Sequence, residues 1–271
     1  ELKALSPVFP IMDYLVGLPE GLDKVVLSDE GWLAKMNELY TEDRVEDFKA
    51  LMICRVLQTS SGMLDQECTD LGDELLSSVY GLQYVTDVRR NAYMSVSSLL
   101  SMAVGRMFAD NCITPETKEG VTAMAKQIIA SYRSRLENNT WLGEATRQKA
   151  VEKLDGMLVR VAYPDDWTLY DYSALSLKGY DEGGSLMESS TAIDRFSDSK
   201  KAEKLMKGTV DRTEWVGQVV PQTVNAFYNP QDNSINILGG ILGKEIYDPD
   251  QPESFNLGHL GVVVGHEISH A

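Results

Sequence analysis

His266 and His270 stand four residues apart, so a helix through them stacks both imidazoles on one face, about one turn from each other. Two ring nitrogens presented that way can ligate a single zinc ion at about 2.0–2.1 Å. Glu267 lies between them and projects around the helix, where it reaches a water on the metal without being a ligand itself. Such a pentad supports metal-assisted hydrolysis: zinc lowers the water's pKa and polarises a carbonyl, while the carboxylate takes the proton and later delivers it to the leaving amine. The pentad occurs by chance in unrelated chains, so its surroundings decide its weight. Leu260, Val262, Val263 and Val264 supply an apolar body for a buried helix, and Gly261 and Gly265 would let neighbouring backbone come close. The chain has 3 histidines in all, and two of them share this register, which counts against an incidental surface pair.

The elements that must hold this helix are mostly helical. After a loop with Pro7, Pro10, Gly17 and Pro19, the run Lys24–Leu27 reads as a short strand. Ser28 or Asp29 then caps a helix carrying Trp32, Leu33, Met36 and Leu39. A second helix starts near Thr41, with Val45, Phe48, Met52 and Val56 on one face, and Tyr93 to Phe108 suits one buried helix. Thr114-Pro115-Glu116 combines an N-cap, a first-turn proline and an early acid. Val121, Met124, Ala125, Ile128, Tyr132 and Leu136 follow at helical spacing, as a core stripe. A further helix from about Glu144 carries Ala150, Val151, Leu154 and Met157. Texture changes at Tyr163-Pro164-Asp165, which marks a boundary near residue 164. From there to Arg195 the chain is rich in Gly, Ser, Asp and Tyr, and such a stretch holds short helices or a domain crossing. Val219–Tyr228 and Ser234–Leu238 read as strands around the turn Asn229–Asn233.

Bulk properties set limits on function. At 271 residues, 43% hydrophobic and 24% charged, the chain can bury a core and does not read as disordered. A net charge of −16 repels polyanions and excludes nucleic acid as a partner; the surplus acid is read as a solubilising surface. No apolar run approaches the ~20 residues of a membrane span. Cys54, Cys68 and Cys112 form neither a disulfide framework nor a zinc ribbon. Cys54, in the run Leu51-Met52-Ile53, is expected to be a buried thiol, with a Cys54–Cys68 bridge as the alternative. Asn138-Asn139-Thr140 fits a glycosylation sequon, a common triplet.

Four segments in one order narrow the reading. Val224-Asn225-Ala226-Phe227-Tyr228, Gly240-Ile241-Leu242, Asn256-Leu257-Gly258 and Val264-Gly265-His266-Glu267-Ile268-Ser269-His270 resemble the neprilysin, endothelin-converting enzyme and bacterial oligopeptidase O family of zinc peptidases. Weaker similarity extends upstream through Trp141–Thr146, Lys149-Ala150, Lys153-Leu154 and Tyr163-Pro164-Asp165. The resemblance implies a mainly α fold: a helical lobe over residues 1–164, then over 165–271 the first, small α+β part of a thermolysin-like catalytic domain. It implies His266 and His270 as ligands of one zinc ion and Glu267 as general base. Asn225 and Ala226 would sit on an edge strand that holds an extended peptide, since an unpaired strand edge binds peptide backbone of any sequence. By periodicity alone Asn225 is only a turn-proximal polar residue.

Departures from the family pattern are equally specific. Leu238-Gly239 replaces a common Pro-Ala and Lys244-Glu245 a frequent Pro-Pro, read as loop changes that reshape a subsite. His259 replaces a Gly and, two turns before His266, is read as a solvent-facing or helix-start residue rather than a third ligand. In the family the third ligand is a Glu in a later E-x-x-x-D helix, expected here beyond Ala271. The expectation is therefore a fragment of an oligopeptide-hydrolysing endopeptidase, inactive and weakly zinc-binding by itself, whose partners are peptides and the remaining part of the same protein. The family includes secreted, anchored and cytoplasmic members, and the sparse cysteines lean towards the bacterial kind. Two competing expectations are a peptide-binding module with a degenerate peptidase fold and a plain scaffold with an accidental motif.

Overall fold

The computed structural model describes residues 1–15, 24–81, 87–212, 214–215 and 219–271; Gly17 and Pro19 of the first loop lie outside them. The fold is mainly α with one three-stranded sheet. The helices are α1 (Leu2–Leu5), α2 (Glu30–Leu39), α3 (Val45–Ser60), α4 (Gln66–Tyr80), α5 (Val88–Leu99), α6 (Ser101–Cys112), α7 (Pro115–Glu137), α8 (Glu144–Asp155), α9 (Leu186–Lys207), α10 (Glu253–Gly258) and α11 (Leu260–Ser269). The strands are β1 (Leu158–Ala162), β2 (Ala226–Asn229) and β3 (Ser234–Leu238). The chain divides into two compact units, residues 1–91 with 175–210, and residues 92–174 with 211–271.

In the first unit, local caps and one asparagine organise the chain. Asp29 accepts from the Trp32 amide at the start of α2, and α2 carries the buried Leu33. Asn37 on α2 accepts from the amides of Val8 and Phe9 at 3.0 and 2.9 Å and donates to the carbonyls of Leu5 and Leu33. That single side chain pins the N-terminal loop to α2 through four backbone groups. Phe9 then packs edge-on against Trp32 and Tyr40. Lys24–Leu27, expected as a strand, is irregular and pairs with no strand, and Val26 is 99% exposed. α3 begins at Val45, after a 3-10 turn at Glu42–Arg44, and buries none of its residues. For that reason Cys54 is exposed rather than buried, and Cys54, Cys68 and Cys112 are all free thiols. The Gly- and Ser-rich stretch after residue 165 resolves into short 3-10 turns and then the 22-residue α9, started by a Ser185/Glu188 capping box and stopped at Gly208, whose φ is +66°.

The second unit holds the sheet. Tyr93–Phe108, expected as one helix, is two: the chain breaks at Leu100 (φ −120°, ψ 44°) and restarts as α6, which buries Met102, Gly105 and Ala109. Thr114 caps α7 by accepting from the Thr117 amide, and the expected stripe on α7 is core, with Val121, Met124 and Ala125 buried. Sheet order is β1-β3-β2, with β1 parallel and β2 antiparallel to β3. Ser234–Leu238 matches its expected strand, whereas the strand expected from Val219 is confined to Ala226–Asn229. The hairpin turn closes at Asn233, which takes a φ of 53° that asparagine tolerates.

Alternation along the strands gives the sheet two different faces. Val161, Ile235 and Ile237 join Val121, Leu154, Leu260, Val264 and Ile268 in the main core. The opposite face pairs Leu238 with Trp215 and Val219 and carries a buried polar cluster. There Arg160 donates to Asp232 at 2.7 Å, to Ser234 Oγ at 2.8 Å and to the Arg212 carbonyl at 2.9 Å. After β1 the chain turns sharply at Ala162, whose φ is 63°, and Lys118 of α7 fastens the Tyr163–Asp165 junction by donating to the Tyr163 carbonyl and the Asp165 carboxylate.

Candidate metal and peptide site

α11 is the centre of the second unit's core. Leu260, Val264 and Ile268 recur at four-residue spacing and are buried, which fixes which way the helix faces. The opposite side then presents Val262, His266, Ser269 and His270 to solvent. The two imidazoles meet nearly at right angles with ring centres 4.8 Å apart, and their Nε2 atoms lie 3.2 Å from each other. Two nitrogens bound tetrahedrally to one zinc at ~2.05 Å would be separated by about 3.3 Å, so the observed 3.2 Å suits a shared ion. Among the described residues no third His, Cys, Asp or Glu joins them.

Glu267 turns the other way. Its Oε2 accepts from the backbone amide of Tyr228 at 3.1 Å, so the carboxylate rests on strand β2 and leaves the histidines to themselves. β2 is an edge of the sheet. Leu238 donates to the Asn225 carbonyl at 3.1 Å, and the antiparallel register places Phe227 opposite Asn236. Alternation therefore directs the backbone groups of Phe227 towards β3 and those of Ala226 and Tyr228 to the open edge. The Tyr228 N–H is taken by Glu267, and the Ala226 N–H by the Asn225 side chain at 2.9 Å. What remains on that edge are the outward carbonyls. Asn225 is exposed and directly precedes β2 rather than lying within it, while Ala226 is buried as the first strand residue.

Several expectations about neighbouring residues change. A Cβ at Gly265 would meet nothing within 4 Å, so this glycine is not there for close packing, whereas one at Gly261 would touch Leu257 at 3.2 Å. Leu238 and Gly239 are not loop residues: both are buried, at the end of β3 and the start of a 3-10 turn. His259 is exposed at the N-cap of α11, stacked on Phe255 at 4.2 Å, in keeping with a helix-start residue.

Comparison with known proteins decides the family. Two models described as peptidase family M13 match residues 1–164 and residues 225–271. The chain belongs to peptidase family M13. It is 29% identical over 272 residues to a putative zinc metalloproteinase of Streptococcus gordonii, covering 100% of this chain and 47% of that protein. Among solved structures it is similar to PepO from Lactobacillus rhamnosis (TM-score 0.75, 33% identity, 88% of this chain and 37% of that one). It is also similar to the Mycobacterium tuberculosis zinc metalloprotease Zmp1 bound to an inhibitor (TM-score 0.78, 29% identity, 91% and 36%). The chain thus spans less than half the length of each of these relatives.

Within this M13 chain, three residues that the motif did not point to touch α11 or its strand. Tyr132 of α7 donates its hydroxyl to the Gly265 carbonyl at 2.9 Å. Lys153 of α8 donates to the Ala271 carbonyl at 2.5 Å and lies 5.5 Å from the Tyr228 ring centre. Asn233 joins the Lys153 carbonyl to the Tyr228 hydroxyl, at 2.7 and 3.1 Å. Tyr132 was visible in the sequence only as a member of an apolar stripe; its polar end carried no signal.

Proposed function

We propose that this chain is part of a zinc metalloendopeptidase that hydrolyses oligopeptides, with His266 and His270 as two zinc ligands and Glu267 as general base. The reading rests on one observation above the rest: Nε2 atoms 3.2 Å apart, one turn from each other, beside a carboxylate seated on an open strand edge. Zinc, when bound, supplies a Lewis acid and makes a water acidic near neutral pH. His266 and His270 hold the ion through Nε2. Glu267 takes the proton as water oxygen bonds to the peptide carbonyl carbon, and returns it to the amine nitrogen as the C–N bond breaks. The β2 edge receives the substrate as an added strand, whose N–H groups meet the outward carbonyls of Ala226 and Tyr228. Asn225, whose amide NH2 bonds to no described residue, donates to a substrate carbonyl.

The test is Glu267→Gln in the complete protein. Peptide hydrolysis should fall by a factor on the order of 10²–10⁴ with one zinc per molecule retained. Hydrolysis that survives the change would refute the role of Glu267.

A further inference from the structure

We infer that Tyr132 is a positioning residue for the metal-binding turn. The inference rests on the proposed roles of His266 and His270, and it starts from a weakness in α11. This ten-residue helix has glycines at 261 and 265, and glycine in a helix interior leaves the backbone freer than any other residue does. The histidines occupy its last turn and C-cap, where intrahelical carbonyl partners run out and helices fray. Gly265 lies directly before His266, and no side chain at 265 can lock it against a neighbour, because the space around it is open.

Besides Lys153 at the Ala271 carbonyl, two contacts reach into the turn itself from outside the helix. On one flank Glu267 is tied to the Tyr228 amide of β2. On the other, the Tyr132 hydroxyl donates to the Gly265 carbonyl at 2.9 Å, across 133 residues of chain. In a regular helix that carbonyl already accepts from the residue four positions on, so Tyr132 takes its second lone pair and leaves the helical ladder intact. The tyrosine ring packs against the core formed by α7, α11 and the sheet, so its hydroxyl is delivered from a fixed base. Rotating or sliding α11 against α7 moves the Gly265 carbonyl away from that hydroxyl. The bond therefore favours one placement of α11 against α7 and holds the backbone immediately before His266, from which the first imidazole is aimed.

The experiment uses the complete protein with cobalt(II) in place of zinc. Tyr132→Phe removes the hydroxyl and keeps the ring, so the fold should survive with little change in its melting temperature. Cobalt affinity should fall about three- to tenfold, in the range of a lost orienting hydrogen bond. The visible d–d bands of the bound cobalt should shift, because their position follows ligand geometry. Val121→Ala, at a fully buried position about three turns earlier on α7, serves as the packing control. It should lower the melting temperature while leaving cobalt affinity within about twofold, a span smaller than the one hydrogen bond is worth. Affinity and spectrum unchanged in Tyr132→Phe would overturn the inference, as would Val121→Ala weakening cobalt as much as Tyr132→Phe does. Failure of the unsubstituted protein to bind cobalt would instead overturn the metal-site reading itself.

Discussion

Arg160→Met is the perturbation whose size the structure defines best. The guanidinium is nearly closed off from water, with its side chain 6% exposed, and it donates to Asp232, Ser234 Oγ and the Arg212 carbonyl. Methionine fills much of the volume but supplies no donor. Asp232 then loses its counter-charge, and the Arg212 carbonyl loses a partner on the covered face of the sheet. Breaking one side of a buried ion pair costs about 3–5 kcal/mol. Asp232 is 20% exposed, so water reaches it and relieves part of that cost, giving an expected loss of about 2–4 kcal/mol. At roughly 2–4 °C per kcal/mol for a chain of this size, the melting temperature should drop on the order of 10 °C.

The pH dependence follows from Asp232. Burial by itself would raise its pKa, but hydrogen bonds from Ser234 and Arg160 and the guanidinium charge outweigh that and hold it below the ordinary 3.8. A carboxyl with a depressed folded-state pKa stabilises the fold fully above its unfolded pKa and loses that contribution as pH falls through the folded one. The gap between the parent protein and Arg160→Met should thus be complete at pH 7 and should narrow below about pH 4. Urea unfolding followed by far-UV circular dichroism measures it, because the fold is mainly α. A gap under 1 kcal/mol at pH 7, or one that widens as the pH falls, would refute the reasoning.

Two further expectations are simpler. Gly265→Ala places a methyl in open space within a helix and should stabilise the chain by about 0.5–1 kcal/mol, whereas a Cβ at Gly240 would lie 2.5 Å from the backbone of Gln222 and Thr223 and should cost about 1–3 kcal/mol; paired thermal melts check the opposite signs.

The parts of the fold that rest on local signals were legible beforehand. Thr114-Pro115 announced α7, Ser28 or Asp29 offered a cap for α2 of which the structure uses Asp29, and Ser234–Leu238 read as a strand, because capping chemistry and alternation act within a few residues. Sites that depend on distant partners were not. Leu158–Ala162 has two valines around Arg160 but no strict alternation, and between the helical pattern before it and the Tyr163-Pro164-Asp165 junction after it this five-residue run becomes β1 only by pairing with β3. Cys54 looked buried because its neighbours are apolar, yet α3 covers none of them within its unit. The apolar body expected for α11 was Leu260, Val262, Val263 and Val264, but the structure buries Leu260, Val264 and Ile268 and leaves Val262 exposed on the side of both histidines, because only the four-residue repeat meets the core. The Tyr228 amide that receives Glu267 could not be read, since backbone groups leave no mark in a sequence.

Under the proposed function, that last contact would tie peptide binding to chemistry. β2 has an open edge and, through the Tyr228 amide, holds the Glu267 carboxylate. Any shift of β2 relative to α11 would therefore disturb the proposed seat of the substrate and the aim of the proposed base together. What fixes β2 is β3, and what fixes β3 on its far side is β1, with Arg160 binding Ser234 across the parallel pair. On the opposite face Ile235 and Ile237 pack into the same core as Val264 and Ile268. The sheet is small, but it lies between the polar cluster and α11. The stability predicted to fail in Arg160→Met is thus the support of the strand against which Glu267 rests.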